Sequence, residues 1–247
     1  MKDRWGRTID YLRLSLTDRC NLRCRYCMPD DVESVGHDAV LRYEEMMVVC
    51  QASLTLGIDR FKITGGEPFV RRGAVDFMRA LKGLDGVRSV TVTTNGMLLE
   101  KALPDLVDLG IDGINISLDT LDAEQYHRLT GGGDLSVVVS ALQAAVKAGV
   151  NVKVNAVLLA ATRNQILNLA KLRKTWPLTS ALSNSCRLAL VRHWQDLPVK
   201  NVWISCTVPI RTLRQRMKCA ATDRQTTIKA GSFVAVSALL LPIRMLF

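Results

Sequence analysis

Three cysteines lie close together near the start of this 247-residue chain: Cys20, Cys24 and Cys27. Their C-x3-C-x2-C spacing follows an apolar run at Tyr11–Leu16 and places three thiolates on one loop. Such a loop suits an iron–sulfur cluster that takes three protein ligands. Because four-iron clusters are usually held by four cysteines, a loop of three would leave one iron open to bind another group.

Two other uses of clustered cysteines compete with this interpretation. A structural zinc site takes four ligands, and the fourth would come from His37 or from a distant residue. Disulfide pairing is disfavoured because the chain opens without the apolar run of a secretory signal. The spacing favours the cluster, and zinc stays open as the alternative.

The loop belongs to a repeating pattern in which short β-type runs alternate with amphipathic helical stretches. Repeated βα units predict a parallel sheet covered by helices. Five units precede Pro177, which is too few for a closed eight-stranded barrel, so we expect an α/β fold with a partial, open βα barrel. Gly110 and Gly149 are predicted helix exits. Strands are expected at Tyr11–Leu16, Phe61–Ile63, Ser89–Thr93, Gly113–Ser117 and Val152–Val157, and helices near Tyr43–Leu56, Ala74–Leu84, Leu99–Leu109, Ser136–Ala148 and Asn164–Lys174.

Polar motifs follow the predicted strands, at the edge where βα barrels place their active sites. The second strand ends at Thr64-Gly-Gly-Glu-Pro68, in which two glycines let the backbone approach a ligand closely. Ser117 ends the fourth strand. A plain tight turn and a strand-end cap are the simpler interpretations of these two features. Cys50 is predicted to be core, and His127 and His37 surface or loop residues.

The net charge of +10 is unevenly distributed. Residues 178–247 hold ten Lys and Arg against two Asp and no Glu, whereas residues 1–177 are nearly balanced. The basic residues are scattered rather than clustered, which disfavours a nucleic-acid surface. The apolar stretch Phe233–Ile243 is about half of the ~20 residues that a membrane span needs and contains Pro242. We therefore expect a cytoplasmic protein that binds neither nucleic acid nor membrane.

The motifs and their spacing from about Gly6 to Pro177 resemble the radical S-adenosylmethionine (SAM) enzymes, and most closely the GTP 3′,8-cyclase family of molybdenum cofactor biosynthesis. The resemblance implies the radical SAM type of partial βα barrel. It is carried by Leu12-Arg-Leu-Ser15, Asp18-Arg-Cys-Asn21, Tyr26-Cys-Met-Pro29, Ile63-Thr-Gly-Gly-Glu-Pro68, Val92-Thr-Thr-Asn-Gly96, Ile114-Asn-Ile-Ser-Leu-Asp119 and Val152-Lys-Val-Asn155.

This resemblance implies roles for individual residues. Cys20, Cys24 and Cys27 would hold a [4Fe–4S] cluster, with SAM on the open iron. The residues implied for SAM are Tyr26, Gly65, Gly66, Glu67 and Ser117, and those implied for GTP are Arg13, Lys62, Thr93 and Lys153. Lys62 stands where the family often has an arginine, so it keeps the charge and loses the two-pronged geometry.

The resemblance also implies a reaction and partners. The cluster would cleave SAM to a 5′-deoxyadenosyl radical, which abstracts the C3′ hydrogen of GTP and leads to 3′,8-cyclo-7,8-dihydro-GTP. The expected partners are GTP, SAM, a reductant such as flavodoxin or ferredoxin, and cyclic pyranopterin monophosphate synthase downstream. A homodimer is left open.

The resemblance ends at Pro177. The family expects a sixth strand reading roughly Asp-Val-Arg-Phe-Ile-Glu-Leu-Met-Pro-Ile-Gly, and codons exist that encode Leu178–Leu188 in one frame and this strand in another. We interpret residues 1–177 as a radical SAM core and residues 178–247 as a divergent, out-of-frame tail. The alternative is a divergent natural domain.

The same interpretation bears on a second cluster, which the family carries on C-x2-C-x13-C. Cys186, Cys206 and Cys219 are separated by 20 and 13 positions and do not reproduce that spacing. Two hypotheses follow: a GTP-cyclising radical SAM enzyme impaired by the loss of this cluster, or a non-catalytic remnant that binds at most one cluster and SAM. A radical SAM enzyme with another substrate is a third.

Overall fold

A computed structural model describes Gly6 and residues 8–27, 40–157 and 159–175. Met28, Pro29, His37 and everything after Thr175, including Cys186, Cys206 and Cys219, lie outside these residues. The strands are β1 (Tyr11–Ser15), β2 (Arg60–Thr64), β3 (Ser89–Thr94), β4 (Gly113–Ser117) and β5 (Val152–Asn155). The helices are α1 (Tyr43–Thr55), α2 (Ala74–Lys82), α3 (Leu99–Asp108), α4 (Ala123–Thr130), α5 (Leu135–Lys147) and α6 (Ile166–Thr175), with 3-10 turns at Pro68–Val70 and Ala160–Gln165.

The five strands form one parallel sheet in the order β1-β2-β3-β4-β5. Each strand therefore pairs with the next strand along the chain, and helices make the crossovers. The predicted series of βα units is confirmed. Because all strands run in the same direction, their carboxyl ends and the loops that follow lie along one edge of the sheet.

One face of the sheet is apolar and packs against the helices. Alternate strand positions carry fully buried aliphatic side chains, such as Ile63, Val92 and Ile116. The helices supply the facing residues; among them Met78, Leu81, Leu106 and Leu142 are completely buried. Cys50 on α1 is also completely buried, as predicted, so it belongs to the core rather than to the cysteine loop.

The opposite face of the sheet is polar, because the intervening positions of the same strands carry charged, hydroxyl and amide side chains. The register lines them up in layers across the strands. One layer contains Arg13 opposite Lys62. In a layer nearer the carboxyl edge, Asn115 lies between Thr93 and Lys153. Alternation within each strand thus separates a helix-covered core from a surface suited to polar ligands.

Element boundaries differ from the predictions at a few places. β5 ends at Asn155 rather than at Val157, because the Val157 N–H donates to the Asp119 carboxylate at 2.7 Å. Gly110 and Gly149 follow helices in left-handed conformations, as predicted for helix exits. No single helix among the described residues has the length and apolarity to cross a bilayer; only α4 and α5 taken together, across a bend of 101°, meet that test.

Candidate active site

The cysteine loop runs from the end of β1 and is held from two sides. On one side the Leu16 N–H donates to the Thr64 carbonyl at 2.9 Å, at the end of β2. On the other side the Arg23 N–H donates to the Thr130 carbonyl at 2.9 Å, at the end of α4. The buried Leu22 side chain lies between these two attachments. The loop is therefore positioned by parts of the chain that are far apart in sequence.

The Gly-Gly-Glu turn after β2 packs directly on this loop. The Gly66 N–H donates to the Thr17 carbonyl at 2.6 Å and the Glu67 N–H to the Arg19 carbonyl at 2.8 Å. A Cβ at position 65 would lie 2.7 Å from the Thr17 carbonyl oxygen, which is closer than real Cβ contacts. The glycines thus allow close approach, and the group they approach is the backbone of the cysteine loop. Their predicted approach to a ligand stays a prediction.

A second glycine turn, which follows α4, packs closely against the other side of the cysteine loop. A Cβ at Gly131 would lie 2.8 Å from the Arg23 carbonyl oxygen, and one at Gly133 would lie 2.8 Å from the Tyr126 ring. Gly131 also has a left-handed φ of 70°. The three consecutive glycines at 131–133 are the sequence feature that could have indicated this close contact.

The three cysteines are thiols rather than halves of a disulfide, with Cys20 and Cys24 half-buried and Cys27 exposed. Burial, then the Asp119 carboxylate and the two other thiols, raise the pKa of Cys24 to about 12. Three neighbouring thiolates would therefore need a cationic partner. Among the described residues no three His, Cys, Asp or Glu side chains are grouped for a single metal ion. The role of the three cysteines as cluster ligands stays a prediction.

Tyr26, one of the residues implied for SAM, ties the cysteine loop to the segment that follows β4. Its hydroxyl donates to the Asp119 Oδ2 atom, and Asp119 Oδ1 accepts the Val157 N–H at 2.7 Å. Asp119 is only 5% exposed. Burial raises the pKa of Asp119 to about 6, and the two hydrogen bonds act in the opposite direction. The hydroxyl of Tyr26 thus bonds to a buried carboxylate of the protein rather than facing a ligand.

Glu67, the acidic residue of the predicted SAM turn, is completely buried. Its carboxylate accepts hydrogen bonds from the Thr94 hydroxyl at 2.8 Å, the Asn95 N–H at 2.7 Å and the Phe69 N–H at 3.3 Å. Burial raises the pKa of Glu67, and these bonds lower it. The side chain links the turn after β2 to the turn after β3.

Three cations lie on the polar face of the sheet. Arg13 on β1 pairs in register with Lys62 on β2. The Arg13 Nε donates to the Thr64 hydroxyl at 3.3 Å. Burial, followed by the charges of Lys153 and Arg13, lowers the pKa of Lys62 to about 8. Within the described part of the chain none of the three forms an ion pair. Thr93 lies beside this group and accepts a hydrogen bond from Asn115 at 3.3 Å.

Ser117 ends β4 opposite Asn155 on β5. The Oδ1 atom of Asn155 is buried and has no hydrogen-bond partner among the described residues. A buried orphan acceptor is unfavourable unless a ligand supplies a donor, and a ribose hydroxyl is one such group. Asn155 ends the motif Val152-Lys-Val-Asn155, and the structure places it beside Ser117, a residue implied for SAM.

The matches to known proteins agree with this geometry. Residues 14–172, more than half of the chain, match the radical SAM superfamily. A GTP 3′,8-cyclase from Geobacter sulfurreducens is 38% identical over an alignment of 255 positions, which covers 96% of this chain and 75% of that protein. The chain belongs to the radical SAM superfamily, in the family of the GTP 3′,8-cyclases. This superfamily implies SAM and a [4Fe–4S] cluster as cofactors.

Other radical SAM relatives align over a shorter part of the chain. GTP 3′,8-cyclases from Alkaliphilus oremlandii and Gloeobacter violaceus are 43% identical over 159 residues and 46% identical over 162 residues. The chain spans only half of the length of these two relatives. The Geobacter alignment, by contrast, continues into the residues after Pro177. The out-of-frame interpretation of those residues stays a prediction.

Solved structures share the radical SAM fold. SuiB of Streptococcus suis bound to S-adenosylmethionine has a TM-score of 0.65 and 18% identity, covering 86% of this chain and 47% of that chain. Native anSMEcpe with bound AdoMet has a TM-score of 0.55 and 22% identity, covering 71% of this chain and 50% of that chain. At these identities the likeness concerns the fold, and it confirms the predicted α/β class.

Proposed function

We propose that this chain is a GTP 3′,8-cyclase that binds one [4Fe–4S] cluster through Cys20, Cys24 and Cys27. When bound, the cluster supplies the electron that cleaves SAM to the 5′-deoxyadenosyl radical used in the first step of molybdopterin synthesis. The observation that carries the proposal is the polar face of the sheet, which brings three cations together beside the edge that holds the cysteine loop.

The cations suit the triphosphate of GTP. Arg13 and Lys62 face each other across β1 and β2, and the Lys153 charge contributes to the lowered pKa of Lys62. Like charges held close together favour a polyanionic ligand, because each phosphate oxygen relieves their repulsion. Thr93, beside Asn115, adds a hydroxyl that can bond the nucleotide. These residues bind and orient GTP on the face that also carries Ser117.

SAM would occupy the edge between the cysteine loop and the ends of the middle strands. The cysteine loop carries the ring of Tyr26, and Gly65 and Gly66 lie in the turn that packs on this loop. Ser117 and the orphan acceptor of Asn155 lie at the end of β4 and β5, where they suit the ribose hydroxyls. We propose that Glu67 acts by holding the glycine turn in place, since its carboxylate has three protein donors.

The second candidate is a non-catalytic protein that binds one cluster and SAM. The observation that favours it is the spacing of Cys186, Cys206 and Cys219, which differs from the C-x2-C-x13-C of the family. These cysteines lie outside the described residues. The nucleotide sequence across codons 170–190 tests the out-of-frame interpretation: a shifted frame that encodes the family's sixth strand supports it, and an early stop in that frame overturns it.

Anaerobic reconstitution tests the proposed function. Wild-type protein should bind about four irons per chain, cleave SAM under reduction and form 3′,8-cyclo-7,8-dihydro-GTP. Cys24→Ala should lose the cluster and SAM cleavage, whereas Cys50→Ala, which removes a thiol from the core, should keep both. SAM cleavage without cyclised GTP would favour the non-catalytic candidate, and no iron uptake by the wild-type protein would overturn both.

The remaining expectations accompany this proposal. A flavodoxin or ferredoxin would supply the electron, and cyclic pyranopterin monophosphate synthase would take the product. The reduced thiols of the described cysteines suit a cytoplasmic location.

A further inference from the structure

Asn95 lies directly after β3, 75 positions along the chain from Cys20, and its side chain reaches the cysteine loop. The Asn95 Nδ2 atom is 3.6 Å from the Cys20 Sγ atom and 2.8 Å from the Asn21 Oδ1 atom. The same sulfur accepts the backbone N–H of Leu22 at 3.4 Å. The Cys20 sulfur therefore accepts two N–H groups, one from its own loop and one from a different βα unit.

The orientation of the Asn95 amide follows from its other contacts. The Asn95 Oδ1 atom accepts the Met97 N–H at 3.0 Å, so the NH2 group must be the end that faces the sulfur. The Asn95 backbone N–H donates to the buried carboxylate of Glu67 at 2.7 Å. These two bonds hold the side chain and the backbone of Asn95 independently.

The turn that carries Asn95 is itself built for one conformation. Gly96 has a left-handed φ of 84°, and a Cβ there would lie 2.9 Å from Val138. The Gly96 N–H donates to the Thr94 hydroxyl at 3.0 Å, and that hydroxyl donates to Glu67. The buried carboxylate, the threonine and the glycine together aim the amide of Asn95 at the cysteine loop.

We propose that Asn95 raises the reduction potential of the cluster by donating an N–H···S hydrogen bond to Cys20. The inference rests on the proposed cluster at Cys20, Cys24 and Cys27. Reduction adds negative charge that the thiolate sulfurs share, so a donor to sulfur stabilises the reduced state more than the oxidised state. Asn95 acts through Cys20 and need not contact SAM or GTP.

The test is a potentiometric titration of the reconstituted protein without SAM or GTP, monitored by the EPR signal of the reduced cluster. In Asn95→Ala the ratio of reduced to oxidised cluster at a fixed potential should fall about tenfold, which corresponds to about 59 mV for one electron. In Asn95→Asp this ratio should fall further, because the substitution replaces a hydrogen-bond donor by a negative charge beside the thiolate. A ratio in Asn95→Ala within about twofold of the wild type would overturn the proposal.

Asn115→Ala is the matched control. Asn115 is a buried asparagine on the neighbouring strand and donates to Thr93 at 3.3 Å. Its loss should leave the potential unchanged, and an equal shift in both variants would refute the specific role of Asn95. Wild-type protein that binds no iron would instead refute the proposed function itself, so the two failures are distinguishable.

A measurement without substitution of Asn95 covers the case in which Asn95→Ala does not hold a cluster. Protein carrying Asn21→Ala and labelled with 15N-asparagine should show a nuclear coupling to the reduced cluster in pulsed EPR. With Asn21 removed and the label confined to the side-chain amide nitrogen, we assign the coupling to the Asn95 Nδ2 atom that contacts Cys20. Absence of the coupling in a fully loaded sample would overturn the proposal.

Discussion

The hydroxyl of Tyr26 donates a hydrogen bond to the carboxylate of Asp119, 93 positions further along the chain. Tyr26 lies between the second and third cysteines, and Asp119 follows β4 at a buried position. The loop that would hold the cluster is thus joined to the sheet through a side-chain contact as well as through its backbone.

Tyr26→Phe should destabilise the protein, because it leaves the buried Asp119 with one fewer donor. We expect the free energy of unfolding to fall by about 1–3 kcal/mol, measured by urea denaturation. Tyr43→Phe is the control: the Tyr43 hydroxyl donates to the exposed Arg72 carbonyl at 3.1 Å, and its loss should change stability by less than ~1 kcal/mol. Equal effects in the two variants would contradict the role given to Asp119.

GTP affinity should fall as the pH rises through about 8, the pKa of Lys62. One unit above its pKa a lysine is about nine-tenths neutral, so binding measured by calorimetry at pH 9 should be up to about tenfold weaker than at pH 7. Lys62→Arg should flatten this dependence, because arginine stays charged. A wild-type affinity that is constant between pH 7 and pH 9 would refute the contact between Lys62 and the triphosphate.

The same pKa has a consequence for stability without ligand. The pKa of Lys62 is below its unfolded value of 10.5, so the folded state disfavours the charged lysine. The loss of folding stability caused by burying the charged lysine is fully present below pH 8, and it is relieved as the pH rises from about 8 to 10.5. Lys62→Met should therefore increase stability at pH 7, with a smaller gain at pH 10.

Gly66→Ala should separate the turn after β2 from the cysteine loop. A methyl group at position 66 would clash with the Arg19 backbone, which cannot move without breaking the 2.8 Å bond from the Glu67 N–H. We expect iron content after reconstitution to fall well below that of the wild type. Gly83→Ala is the control: Gly83 has a right-handed helical conformation and only ordinary contacts, so iron binding should be unchanged.

Asn155→Ala should weaken SAM binding without lowering stability. The Asn155 Oδ1 atom is buried without a partner among the described residues, so its removal should leave the free energy of unfolding unchanged or raise it by up to about 1 kcal/mol. SAM affinity of the reconstituted protein should fall about fivefold, the value of one neutral hydrogen bond. Asn115→Ala, which loses a bond to Thr93, should instead lower stability and leave SAM affinity unchanged.

Properties that depend on local spacing could be predicted from the sequence. Alternation along β2 and β3 separates buried Ile63 and Val92 from polar Lys62 and Thr93, and Gly110 and Gly149 mark the ends of the helices that precede them. Contacts that depend on three-dimensional register could not. Nothing in the local pattern around Asn95 indicates that its amide lies against Cys20, because that contact requires the turns after β2 and β3 to meet the cysteine loop.

The attachment of the cysteine loop to the end of α4 has a consequence for the order of events during synthesis. The Arg23 and Arg25 N–H groups bond to the Thr130 and Leu129 carbonyls, so the loop cannot take its final form until about a hundred further residues have been made. At ~5–20 residues per second this delay is roughly 5–20 s. During this time the loop lacks its attachment to α4, so we expect a cluster held by Cys20, Cys24 and Cys27 to be inserted only after residues 129 and 130 have been made.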